Sequence, residues 1–129
     1  MALTKEEILK ADDLPKKAVN VPAWGGEVFV RTMTAIEKDQ FEESNRNHED
    51  DGSTTFNAVG YRARLIQKTV CDENGNLLFT EDDLPALQKK SGKAIDLVIK
   101  VSQELNAITD EDLKALEKNL PAALANAST

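Results

Sequence analysis

The chain has 129 residues, with 16 Lys and Arg against 23 Asp and Glu, giving a formal charge of −7. That balance disfavours binding to a nucleic-acid backbone, where Lys and Arg must replace counterions. The longest uncharged apolar runs are a few residues long, well short of the ~20 that span a bilayer. One cysteine, Cys71, excludes an internal disulfide and a Cys-based zinc site, while 40% hydrophobic and 30% charged residues fit one folded soluble domain.

The opening MALTKEEILKADDLP carries charges where a secretory signal needs an apolar stretch, so a reducing cytoplasm is the expected compartment. Thr4 and Glu7 have the capping-box spacing, which predicts a short helix over 5–11, ended by Asp12, Asp13 and Pro15. With Ile8 and Leu9 as its only apolar anchors, that helix must dock on something to persist. Residues 17–22 and 26–31 read as two strands of a β-hairpin, rich in valine and separated by Ala23-Trp24-Gly25-Gly26. An isolated hairpin is marginal in water, so helices should cover one face.

Thr34 and Glu37 repeat the capping-box spacing and predict a polar helix to about Arg46. Residues 47–54, NHEDDGST, have no apolar member and read as a mobile solvated loop. The strongest helix is expected over 56–70, where Phe56, Val59, Ala63, Ile66 and Val70 form one stripe. Gly60 then falls in a helix interior, and Arg62, Arg64 and Lys68 lie off the stripe, exposed. Residues 72–76 form a turn, followed by an extended Leu77-Leu78-Phe79.

Thr80 caps a further helix beginning Glu81-Asp82-Asp83, and Gly92 separates it from the next. There, Ala94, Leu97, Val98, Val101 and Leu105 make a second stripe. Thr109 caps a final helix with Leu113, Leu116 and Leu120 on one side. The whole reads as an α+β fold, mostly α-helical, with a small N-terminal β-hairpin packed on a bundle of about five helices. Residues 1–120 form the domain and 121–129 a flexible tail.

No group of residues assembles a catalytic, cofactor or metal site. His48, the one histidine, stands in the most polar stretch with no rigid ligand spacing around it. Cys71 has no histidine near it in sequence to act as base and reads as a small buried hydrophobe. The acidic triplets 81–83 and 110–112 each follow a threonine at a helix start, where capping and the helix dipole account for them. Gly25-Gly26 lacks the spacing of a phosphate loop. Trp24, beside a Gly-rich turn, either packs back on its own fold, the simpler reading, or is exposed as a contact residue. The final helix likewise either docks on the domain or is a detachable helix for a partner's groove. A binding role follows by elimination. Apolar and close to an end or a turn, Trp24, Leu113 and Leu116 are the candidate partner-binding residues.

Taken in order, three segments resemble the tail assembly chaperones of long-tailed bacteriophages. They are LTKEEILKADDLP, VNVPAWGGEVFVRTMTAIEKDQFE and RARLIQKTVCDENGNLLFTEDDLPALQKKSGKAIDLVIKVSQELNAITDEDLKALEKN, together spanning residues 3 to about 119. The resemblance rests on the ordered set of motifs: V-P-x-W-G-G before a strand, A-R-L-I-x-x-x-V, D-E-x-G-x-x-L-F-T, and E-L-N-x-I-T-x-E-D-L. It implies a non-enzymatic protein of the host cell cytoplasm, without cofactor, that binds the tape measure protein and keeps it soluble. It further implies help to tail tube protein subunits polymerising around the tape, the tube contact falling to a frameshifted longer form, and absence from the finished virion. Self-association stays open. The alternative is a morphogenesis protein retained in the particle, such as a head–tail connector or tail terminator.

Overall fold

Valine-rich strands flanking a glycine turn form the first layer of the computed structural model, which describes residues 1–108. Strand β1 (Lys16–Val21) pairs antiparallel with β2 (Gly26–Arg31), Val19 opposite Val28 and Val21 opposite Gly26. A 3-10 turn over Pro22–Trp24 joins them. Gly25 follows at φ +79° and its N–H donates to the Pro22 carbonyl at 3.0 Å, a left-handed position that glycine takes without a Cβ clash. A third strand, β5 (Val70–Cys71), pairs with β2 to give the order β1-β2-β5.

Side chains alternate across a sheet, so Val19, Val21, Val30 and Val70 share one face and are all buried. Helix α5 (Gly92–Leu105) packs against these strands, and α3 (Tyr61–Thr69) packs against α5 and adds its side chains to the same core. Leu65 and Ile66 of α3 and Val98 of α5 are almost wholly buried in this core. The two helices also meet through a buried polar contact, Thr69 Oγ1 to Ser102 Oγ at 3.0 Å, with the Thr69 hydroxyl donating to the Leu65 carbonyl at 2.7 Å. Each hydroxyl is thereby satisfied, without which burial would cost stability.

The capping boxes form as their spacing dictates. Thr4 and Glu7 start α1 (Lys5–Lys10), and Thr34 and Glu37 start α2 (Ala35–Ser44). Helix α1 buries no residue. Phe41 of α2 enters the core.

The α+β class holds, with five helices and two small antiparallel sheets among the described residues. A bundle of about five helices is only loosely matched. One helix, α5, lies on the sheet with α3 beside it, α4 (Leu84–Leu87) is a single turn, and α1 stands outside the core. Residues 47–54 are not a solvated loop throughout. Strands β3 (Arg46–His48) and β4 (Thr54–Phe56) form an antiparallel ribbon, Arg46 opposite Phe56 and His48 opposite Thr54. Backbone pairing, which needs no apolar side chain, makes this ribbon, and the Asn57 N–H ties its end to the Asn45 carbonyl at 2.7 Å.

Helix α3 begins five residues later than its stripe suggested. Phe56 belongs to β4, Val59 is 84% exposed, and Gly60, at φ +86°, stands just before the helix instead of inside it. Val70, the last member of the stripe, is in β5. On α5 the buried residues are Ala94, Ile95, Val98, Ile99 and Ser102, whereas Leu97 is half exposed. The sheet lies beneath α5 and α3 lies beside it, and together they rotate the buried face toward Ile95 and Ile99. Gly92 opens α5 and Ser91 caps it, its Oγ accepting from the Ala94 N–H at 3.3 Å. The acidic triplet 81–83 forms a 3-10 turn, its Asp83 carboxylate accepting from the Thr80 N–H at 2.8 Å, which is the capping role expected of it.

Candidate protein-binding surface

Trp24 ends the 3-10 turn of the hairpin and is 37% exposed, so it is a surface residue and not the core anchor of the simpler reading. Val21, three residues earlier and fully buried, fills the core at that end of the sheet. The turn lies against α5. Leu97 is on the flank of α5 opposite Asp96, which meets α3 through Arg62. Leu113 and Leu116, like Leu120 and the acidic triplet 110–112, lie outside the described residues. Ile8 and Leu9 of α1 are also exposed, and a short helix presenting two large apolar side chains to water is suited to a partner chain.

A groove of about 480 Å³ runs between the start of α3 and the outer side of α5. Phe56, Tyr61 and Ile99 supply its apolar surface; Arg62, Asp96, Lys100 and Gln103 supply its polar margin. The Tyr61 ring is held between Phe41 and Phe56, with centroids at 5.6 and 6.0 Å and tilted geometries. Gln103 Nε2 donates to the Tyr61 hydroxyl at 3.5 Å, and burial pushes the Tyr61 phenol up. Arg62 and Asp96 pair at 2.7 Å, linking α3 to α5 through two exposed side chains. A pair so exposed adds little stability, which leaves it free to open. A second hollow of about 320 Å³, lined by Gly60, Leu87, Gln88 and Ile95, adjoins the first at Ala58, Tyr61 and Arg62.

Three polar residues that sequence reasoning left without a role fix the elements around this surface. Arg31, 7% exposed, donates to both Glu37 carboxylate oxygens at 2.8 and 2.9 Å, and to the Gly75 carbonyl at 2.8 Å. It thus joins the end of β2 to the start of α2 and to the turn at 72–76. Its guanidinium holds the Glu37 carboxyl down at about 2. Arg64, expected to be exposed, is half-buried. It donates to the Val59 carbonyl at 2.8 Å, to Asn45 Oδ1 at 3.1 Å and to the Asn57 carbonyl, so it clamps the segment between β4 and α3. Asn106 caps α5, and its side chain accepts from the Met33 N–H at 2.7 Å. A helix-terminal Asn was the sequence signal for that last role; the partners of the two arginines are far away in the chain.

His48 sits in β3, exposed, with Nε2 against the Glu43 carboxylate. Cys71 is buried in β5, as expected, and burial pushes its thiol up. Among the described residues, no group of three or more His, Cys, Asp or Glu is placed to hold a metal ion, and no helix is long and apolar enough to cross a membrane.

Residues 5–118 match the family model described as phage tail assembly chaperone. The fold is similar to that of the bacteriophage HK97 tail assembly chaperone, at 18% sequence identity and a TM-score of 0.54. That match covers 81% of this chain and 95% of the other. No curated protein sequence matches the chain.

Proposed function

Because the chain belongs to the phage tail assembly chaperone family, we propose that it binds the tape measure protein during tail assembly, in the host cytoplasm, and keeps it soluble. The family match over residues 5–118 carries this reading. A long helical tape exposes apolar seams until a tube encloses it, and reversible cover requires exposed apolar side chains on a soluble carrier. Trp24, Ile8 and Leu9 are exposed in this way, and the charge of −7 adds solubility to whatever complex forms.

Tail tube subunits then displace the chaperone as they polymerise, which calls for moderate affinity at each site and many copies along the tape. Contact with the tube protein is assigned to a longer frameshifted form. The role needs no covalent chemistry and no cofactor. Trp24, Leu113 and Leu116 are the residues proposed to meet the tape.

Affinity capture of this chain with the tape measure protein of its own phage tests the reading. Recovery of the tape with the wild-type chain, weakened by Trp24→Asp, is expected; no recovery overturns it. Mass spectrometry of purified virions should find the chain far below stoichiometric amounts. Stoichiometric presence would instead favour the connector or terminator role.

A further inference from the structure

We propose that the groove between α3 and α5, with the hollow that adjoins it, seats an acidic amphipathic helix of a partner chain, and that Asp96 occupies Arg62 until that helix supplies a carboxylate of its own. That the partner belongs to the phage tail rests on the chaperone reading; the chemistry of the groove does not.

The α5 residues lining the groove and the hollow are Gly92, Ile95, Asp96, Ile99, Lys100 and Gln103. They recur at steps of three and four or less, so they form one stripe along the helix. That stripe is about 16 Å long, or roughly three turns. Phe56 and Tyr61 give the groove its aromatic surface, and Leu87 lines the hollow. A trough with one helical wall along its whole length and an apolar floor accepts the apolar face of another helix.

Charge selects among such helices. Arg62, Lys90 and Lys100 line the trough against one carboxylate, Asp96, in a chain whose formal charge is −7. Among the described residues, Lys90 and Lys100 form no ion pair. The trough is thus opposite in sign to the chain as a whole, which favours an acidic segment and disfavours a basic one. Two whole copies of this chain repel each other, so the occupant is a different protein.

Arg62 lines both the groove and the hollow, and its Nε donates to Asp96 Oδ1 at 2.7 Å, so this bridge stands at their junction. The two side chains are 63% and 54% exposed. An ion pair so exposed is worth little, and exchanging Asp96 for a partner's carboxylate costs correspondingly little. Lys100 follows Asp96 by one helical turn, about 6 Å along the trough. Carboxylates one turn apart on the partner helix therefore meet Arg62 and Lys100 together, while its apolar residues face Tyr61 and Ile99.

Tyr61 is the only tyrosine and lines both parts of the trough, so 3-fluorotyrosine labels the site alone. The full chain is titrated under fluorine NMR with a helix-forming peptide of about three turns, bearing leucine on one face and glutamate on both flanks. The control peptide has lysine in place of every glutamate. A saturable shift is expected with the acidic peptide and little change with the basic one. Lys100→Glu should weaken binding about two- to fivefold, the scale of one exposed ion pair, and Asp96→Asn should tighten it by a similar factor. Both positions are exposed, so circular dichroism should show the fold retained in each variant. Equal binding of the two peptides overturns the proposal, as does a resonance that neither moves, or an Asp96→Asn protein that binds no tighter than wild type. A signal that changes when the chain alone is diluted also overturns it, because a second copy would then occupy the trough. The titration uses no tape, so its failure leaves tape capture untouched, and failed capture leaves the titration standing.

Discussion

Glu37→Gln removes the charge that faces Arg31 while keeping an amide able to complete the capping box with Thr34. The native carboxyl, held first by its hydrogen bonds to Arg31, titrates at about 2 instead of the ordinary 4.5. That difference corresponds to roughly 3 kcal/mol. The two side chains are 8% and 16% exposed, so solvent screens the pair only slightly. Part of the effect comes from the Thr34 bonds that Gln preserves, so the variant should lose about 2 kcal/mol at pH 7. A carboxylate whose folded pKa is depressed stabilises the fold fully above its unfolded pKa, and loses that contribution as pH falls through its folded pKa. Urea unfolding followed by circular dichroism should therefore show the gap between wild type and variant closing as pH falls from about 4.5 toward 2. A gap that is absent at pH 7, or constant down to pH 2.5, would refute the assignment of the clamp.

Four further outcomes follow from the same structure. Gly60→Ala forces a side chain into φ +86°, with its Cβ 2.7 Å from Gln88 Nε2, and should cost about 1–3 kcal/mol in a denaturant melt. Asn106→Ala strips the Met33 N–H of its acceptor at a buried junction and should cost about 1–3 kcal/mol in the same assay. Cys71, buried and with its thiol pushed up, should react slowly with a thiol reagent at pH 8 in the native protein and quickly in urea. Ile8→Ser with Leu9→Ser should leave stability within about 0.5 kcal/mol, because α1 buries nothing. The same double variant should lower tape capture.

Local chemistry was readable and distant chemistry was not. Val-Pro-Ala-Trp-Gly-Gly specifies a reversal by the permissive glycine after its turn, and the two Thr-x-x-Glu boxes specify helix starts within four residues. Val70 continues the apolar stripe of α3, and only pairing with β2 makes it and Cys71 a strand. The β3–β4 ribbon has no apolar alternation to betray it. Arg31 reaches Gly75 across 44 residues and Asn106 reaches Met33 across 73, distances over which no spacing rule operates. The surface suffers from the same limit. Sequence marks Trp24 as large and near a turn but does not say whether Val21 or Trp24 fills the core. The groove joins residues 56–62 to 96–103, segments that meet only once α3 packs on α5.

Co-expression of the chain with its phage's tape measure protein addresses the central claim most directly, with the soluble fraction of the tape as the readout. The tape should be insoluble alone, become soluble as the chain is supplied, and fall back toward insolubility with Trp24→Asp combined with Leu113→Asp and Leu116→Asp. A tape that stays equally insoluble at every level of folded wild-type chain would contradict it.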